Sequence, residues 1–282
     1  MVSKPAVSVV IPCYNAEDTI DDCITSLLNL EYPKEKSEFI FVDDGSTDST
    51  REKIRGYETV NLVEQQHKGP AAARNRGVKN SKGEVIVFTD ADCEVPADWL
   101  DKIVRALEES NAVGGSLRPA SSGTYAERFE QHRRDRLYGM ERKHVDALPS
   151  CNLAFKKNLL DEARGFDEDF KKASAEDYDL CRRITEKGHD ILFEPDIYVV
   201  HHHSQTLKGI LKRAYTHGME MTKYRRKMGK GPLNELVRAF AKLAVTPVLV
   251  LKRYPPDLMP LGLAYELVSF AGNLNGALKH RA

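Results

Sequence analysis

Val85-Ile-Val-Phe-Thr-Asp-Ala-Asp92 is a run of β-branched and aromatic residues that stops abruptly at two carboxylates. A short apolar run without polar alternation reads as a strand buried on both faces, as in a parallel sheet. Two earlier stretches are built the same way: Val7-Ser-Val-Val-Ile-Pro-Cys-Tyr-Asn15 and Phe39-Ile-Phe-Val-Asp-Asp-Gly-Ser-Thr47. Three strands that end in polar or turn-forming residues bring those residues to one edge of a sheet. The crevice outside that edge is where an open α/β sheet takes its ligand.

Between these runs the apolar period changes to that of a helix. Ile20, Cys23, Ile24, Leu27 and Leu28 form one stripe, and Asn15 is placed to cap it. Ser46 or Thr47 is placed to cap a short helix to about residue 55, residues 60–64 read as a strand, and Gly69 to Asn80 as a helix. This alternation predicts an α/β fold with a Rossmann-like, mostly parallel sheet flanked by helices. Beyond Pro96 the pattern loosens. It predicts a helix to about residue 109, a strand near 112–117, a long polar helix near 125–143, a strand around Ser150–Phe155 and another over 197–200.

Lys+Arg and Asp+Glu are 42 each in 282 residues, so no global field draws the chain to nucleic acid, and anion binding has to come from local clusters. The five cysteines form no C-x-x-C pair, which argues against a disulfide framework or a zinc site and for a reducing compartment. The N-terminal apolar run ends at Pro12, too short for a signal peptide, so a cytoplasmic location is expected.

The ordered strand ends, the segment Gly69–Gly77 with its G-x-x-x-A-R-N-x-G pattern, and Ala175-Glu-Asp-Tyr-Asp together resemble family 2 glycosyltransferases of the GT-A fold, over about residues 6–220. The resemblance implies a metal-dependent, inverting transfer of one sugar from a UDP- or GDP-linked donor to an acceptor hydroxyl on a glycan or lipid-linked glycan. A Q-x-x-R-W sequence, the mark of processive synthases, is absent. It also implies a glycosyltransferase domain over 1–230, with a nucleotide-binding half to residue 95 and an acceptor-binding half from 96.

A divalent ion held by carboxylates neutralises charge on a leaving pyrophosphate. Asp90 and Asp92 are the candidates. The same spacing recurs at Asp167/Asp169 and Asp177/Asp179, but only Asp90-Ala-Asp92 directly follows a buried-type strand. By resemblance Asp92 binds the manganese or magnesium ion, with His201 or His203 completing its site, and Asp90 meets the ribose or the metal through water. Asp43 and Asp44 would accept a hydrogen bond from the base, on a floor formed with Pro12 and Tyr14, with Glu17 nearby; Asp44 and Ser46 would equally serve as helix caps. Lys68 and Arg74 lie in the matched segment, and Arg74 is expected to face the nucleotide. Glu176-Asp177 opens a helix, whose positive end favours an ionised carboxylate. By resemblance Asp177 is the general base, and Glu176 binds acceptor hydroxyls.

Residues 231–282 read as an apolar helical extension without the ~18 uncharged residues of a spanning helix. Two helices at the inner face of a membrane and two helices packed on protein are both compatible with this pattern. Two other functions fit less well. A sugar-nucleotide nucleotidyltransferase needs a Gly/Arg-rich loop after the first strand, where this chain has Pro12-Cys-Tyr-Asn-Ala-Glu17. A silent nucleotide-sugar binding protein has no need of the complete set Asp92, Asp177 and His201.

Overall fold

The computed structural model describes residues 4–120, 123–172, 174–202 and 206–279. They fall into two compact units, Met1–Ala120 with Tyr138–His203, and Ser121–Leu137 with Ser204–Ala282.

The first unit has the expected mostly parallel sheet flanked by helices. Strands β1 (Val7–Cys13), β2 (Ser37–Asp43), β3 (Asn61–Glu64) and β4 (Val85–Thr89) run parallel in the order β3-β2-β1-β4. Helices α1 (Ile20–Leu28), α2 (Thr50–Arg55) and α3 (Pro70–Asn80) make the crossovers. The unbroken apolar runs are explained by two cores. Val7, Val9, Ile11, Val85 and Val87 pack on one side with α1, while Val10, Ile86 and Phe88 pack on the other. Each such buried side chain contributes about 1.5–3 kcal/mol relative to exposure. The register pairs Cys13 with Asp43 and Val10 with Phe88, so the polar ends of the three strands come out on one edge.

Antiparallel pairing extends the sheet. After the two-residue β5 (Cys93–Glu94) and α4 (Trp99–Ala106) come β6 (Ala112–Pro119), α5 (Tyr125–Tyr138), β7 (Lys143–Val145) and β8 (Asn152–Lys156). Helices α6 (Lys157–Ala163) and α7 (Glu176–Thr185) then precede β9 (Ile191–His201). Strand β8 runs antiparallel between β4 and β6, and β9 is parallel to β6 but antiparallel to β5 and β7. Buried Asn152 locks this half: it accepts from Trp99 Nε1 at 3.0 Å and donates to the carbonyls of Ser116 and Ile197 at 3.0 and 3.1 Å.

Three local expectations are corrected. Asn15 does not cap α1, which starts at Ile20; it sits in the left-handed region with φ 50° and its Oδ1 accepts from Thr47 N at 2.8 Å. The polar helix expected to reach residue 143 stops at Tyr138, because Gly139 takes φ 74° and ends it, and β7 follows. The strand expected over 197–200 is the last part of an 11-residue strand, with a bulge opposite Gly115/Ser116.

The second unit is helical: α5, α8 (Leu207–Lys227), α9 (Pro232–Arg253) and α10 (Met259–Lys279). It therefore includes α5 and α8, which the boundary at 230/231 leaves in the acceptor half. Phe129 stacks on Tyr254 with ring centroids 5.3 Å apart, and Ile210, Ala214 and Tyr265 join that core. Glycines let α8 and α10 meet closely: a Cβ at Gly218 would lie 2.2 Å from Ser269 O. Glu266, which interrupts the apolar run of α10, is buried and pairs with Lys242 at 2.8 Å and Arg253 at 3.0 Å. Among the described residues no helix is long and apolar enough to cross a membrane.

Candidate functional site

At the ends of β1 and β2 the loops lace together. Asn15 N donates to Ser46 Oγ at 3.0 Å, and Glu17 Oε2 accepts from Ser49 N at 3.0 Å, so Glu17 serves the open start of α2. Pro12 lies in β1 opposite Val42. Tyr14 is exposed, with its ring 4.2 Å from that of His67 and tilted 32° to it, which makes an aromatic wall beside the edge. Asp43 is fully buried and accepts from Arg51 Nη2 at 2.9 Å and Nε at 3.1 Å. Asp44 accepts from Lys68 N and Gly69 N, both at 2.8 Å, and from Gln65 Nε2 at 2.7 Å. It thus fixes the turn into α3, while the Lys68 side chain stays exposed. Gly69 needs φ 97° here, and a Cβ would meet Lys171 O at 2.6 Å.

Arg74, expected to face the nucleotide, is buried among carboxylates. Its Nη2 donates to Asp90 Oδ1 and its Nη1 to Glu176 Oε1, each at 3.0 Å, and Nη1 lies 4.0 Å from Asp177 Oδ1. Its neighbour Asn75 makes a second bridge, with Nδ2 donating to Phe166 O at 2.9 Å and Oδ1 accepting from Phe166 N at 2.8 Å. Two adjacent residues of α3 thus bind the Gly165-Phe-Asp segment and the start of α7 to the end of β4. Asp177 Oδ2 accepts from Ser150 N at 3.1 Å. Burial, and then the adjacent Glu176, push its carboxyl up to about 6, against the opposing pull of Arg74. Burial also raises Asp90, and Arg74 opposes it.

The β5–β9 pairing sets Cys93 opposite His201, and His202 N donates to Asp92 O at 2.8 Å. His201 Nε2 is consequently 3.5 Å from Asp92 Oδ1. The donor atoms of Asp90, Cys151 and His201 lie within 4.8 Å of one another, as do those of Asp92, Cys93 and His201. The 3.5 Å between His201 Nε2 and Asp92 Oδ1 is a separation that one ion holding its ligands at about 2.0–2.1 Å can bridge. Burial pushes the Cys93 thiol well up, which leaves carboxylates and an imidazole as candidate donors, a set that suits manganese better than magnesium. His202 points the other way and pairs with Glu94, as strand alternation requires. His203 lies outside the described residues.

The structure brings together Arg74, Asp90, Glu176 and Asp177, and beside them Asp92 and His201. Sequence reasoning missed Arg51, His67, Asn75, Cys93, Cys151 and Ser150. The signal for Cys93 is its place directly after Asp92 in the chain. The others become visible only when distant loops meet.

The profile of glycosyl transferase family 2 matches residues 8–163, more than half of the chain. Glycosyltransferase AglE of Haloferax volcanii is 30% identical over 206 residues, covering 70% of this chain and 67% of the relative. A poly(ribitol-phosphate) beta-glucosyltransferase of Bacillus spizizenii is 46% identical over 100 residues, covering 33% of this chain and only 16% of the relative's length. In structure, the mannosyltransferase PcManGT of Pyrobaculum calidifontis, solved with GDP-Man and Mn2+, aligns with a TM-score of 0.62 at 22% identity, covering 98% of this chain and 74% of that one.

Proposed function

The chain belongs to glycosyl transferase family 2 and has the GT-A fold, and on that premise we propose that it transfers one sugar from a nucleotide-diphosphate donor to an acceptor hydroxyl with inversion. The observation that supports this most is the convergence of Arg74, Asp90, Glu176 and Asp177, drawn from three separate segments onto one sheet edge.

In this reading Tyr14 and His67 receive the base, with Pro12, Asp43, Asp44, Glu17 and Lys68 shaping the nucleotide pocket. Asp90 meets the ribose. Asp92 and His201 would hold a manganese or magnesium ion, which when bound neutralises charge on the leaving diphosphate. Asp177 takes the proton of the attacking hydroxyl, and its raised pKa suits a base working near neutrality. Arg74 keeps Asp90 and the Glu176-Asp177 pair in register, and Glu176 orients the acceptor. The acceptor is a glycan or a lipid-linked glycan. Residues 231–282 contact the inner face of a membrane, which would place the enzyme on the cytoplasmic side.

The test is a donor screen with UDP-glucose, UDP-N-acetylglucosamine and GDP-mannose in the presence of manganese, reading release of nucleoside diphosphate. Turnover of one of them is expected. No turnover, with donor binding retained, would instead favour the silent binding protein.

A further inference from the structure

The helical unit contains a cavity of about 530 Å³ and an adjoining one of about 200 Å³. Both are lined by His217, Lys242 and Arg253. Six cations reach these spaces: Arg133 and Arg136 from α5, Arg225 from α8, and Arg238, Lys242 and Arg253 from α9. Carboxylates pair with four of them. Glu130 binds Arg133 at 3.0 Å, Glu235 binds Arg225 at 2.6 Å, and Glu266 binds Lys242 and Arg253. Arg136 and Arg238 have no ion-pair partner among the described residues.

The surplus is felt locally. Burial, then Arg133, Lys242 and Arg225, hold His217 down at about 4. Burial lowers Arg225 despite Glu235, and Arg238 adds to that shift. Asn273 Oδ1 accepts from Arg225 Nη2 at 2.8 Å and Thr222 Oγ1 from the same nitrogen at 3.1 Å, so one guanidinium is held in a fixed orientation. Guanidinium forks match the geometry of phosphate oxygens, and an excess of them in a concave site favours a polyvalent anion over a carboxylate.

We propose that these two adjoining cavities together bind a phosphate or diphosphate group, carried by a soluble phosphate ester or by the head group of a lipid. The proposal is independent of the transferase reading, since none of these residues is assigned to transfer.

Calorimetry of the full chain with pyrophosphate, in EDTA so that no metal bridges it to the carboxylates of the first unit, reads one source. Flotation with phosphatidylcholine vesicles, with and without phosphatidic acid, reads the other. Arg136→Gln combined with Arg238→Gln removes charges that hold no partner, so the fold should persist. It should weaken binding roughly tenfold or more, as expected for the loss of about 1.4 kcal/mol. Lys79→Gln with Lys187→Gln, two exposed lysines of the other unit, is the charge-matched control and should bind like the parent. Pyrophosphate binding alone would assign a soluble ester, and flotation dependent on phosphatidic acid a lipid head group; either supports the site. Neither kind of binding, or undiminished binding by the Arg136/Arg238 variant, would overturn it, whatever the donor screen gives.

Discussion

In the proposed mechanism Asp177 would combine a cost to folding with a use in chemistry. Burial and the adjacent Glu176 push its carboxyl up to about 6 in the folded chain, above the ordinary carboxylate value of about 4. The folded state therefore holds a proton that the unfolded chain gives up between about pH 4 and 6, and stability falls as pH rises through that window. A shift of about two units corresponds to at most ~3 kcal/mol. Asp177→Asn is expected to raise the melting temperature at pH 7 while lowering transfer by about 10²–10⁴-fold. In the parent, kcat/KM should drop about tenfold per pH unit below about 6. The variant should lack that limb, and a variant that keeps it would exclude Asp177 as the base. Asp179, two residues on, behaves oppositely. It is buried and accepts from Arg183 Nε at 2.8 Å, and Arg183 in turn donates to Gly165 O. Asp179→Asn should lower stability by ~1–3 kcal/mol, with no selective loss in transfer, as seen by thermal melting beside kinetics. For the metal, Asp92→Ala should abolish any manganese dependence of UDP or GDP affinity measured by calorimetry, and unchanged dependence would remove Asp92 from the ion's ligands. The strand ends and the helix start place Asp90, Asp92 and Asp177 at turn positions legible from local periodicity, while the roles proposed for them come from the family resemblance. The ion pair of Arg74 with Glu176 was not legible, because it closes a loop of 102 residues.

At the level of elements, the closeness of α3 to β1 decides whether that bridge can form. Ala71, Ala73 and Gly77 turn a smooth face to the sheet, and a Cβ at Gly77 would lie 2.2 Å from Val10 Cγ1. The final glycine of the G-x-x-x-A-R-N-x-G pattern thus serves packing, and it sets the depth at which Arg74 and Asn75 meet their partners. Gly77→Ala overpacks this contact and should cost about 1–3 kcal/mol. Because the helix must move outward, the loss in transfer should exceed what reduced folded fraction explains, which activity measured well below the melting temperature would reveal. Activity equal to the parent at that temperature would mean that the bridge tolerates the shift. The strands agree closely with their apolar runs, which are local signals, whereas α1 and α2 start at Ile20 and Thr50, later than the caps expected at Asn15 and at Ser46 or Thr47. The expectation that α5 runs to residue 143 has a local cause: Met140, Glu141, Arg142 and Lys143 after Gly139 are good helix formers, and only pairing with β9 makes 143–145 a strand.

For the whole molecule, the fold class of the first unit followed from its repeating strand and helix pattern, whereas the make-up of the helical unit did not. The close approach of α8 and α10 rests on Gly218 of α8 and on Gly272 and Gly276 of α10, which face Tyr215 and Met219, and glycines carry little amphipathic signal until a partner helix covers them. The helical unit also carries the last expected outcome. Leu233, Val237, Val248 and Leu251 on α9 are 71%, 61%, 52% and 66% exposed, with Lys230 and Lys252 exposed near its two ends. An apolar stripe on a helix that is not built to span a bilayer fits a helix lying in the interface, its lysines toward anionic head groups. Each large side chain buried there contributes about 1.5–3 kcal/mol. Changing the four to serine should therefore reduce flotation with anionic vesicles by more than tenfold, and since they are exposed it should leave the melting temperature nearly unchanged. Parent protein that stays unbound on anionic vesicles would remove the membrane from the reading. If that protein were also a dimer split by the four serines, the stripe would belong to a second copy of the chain.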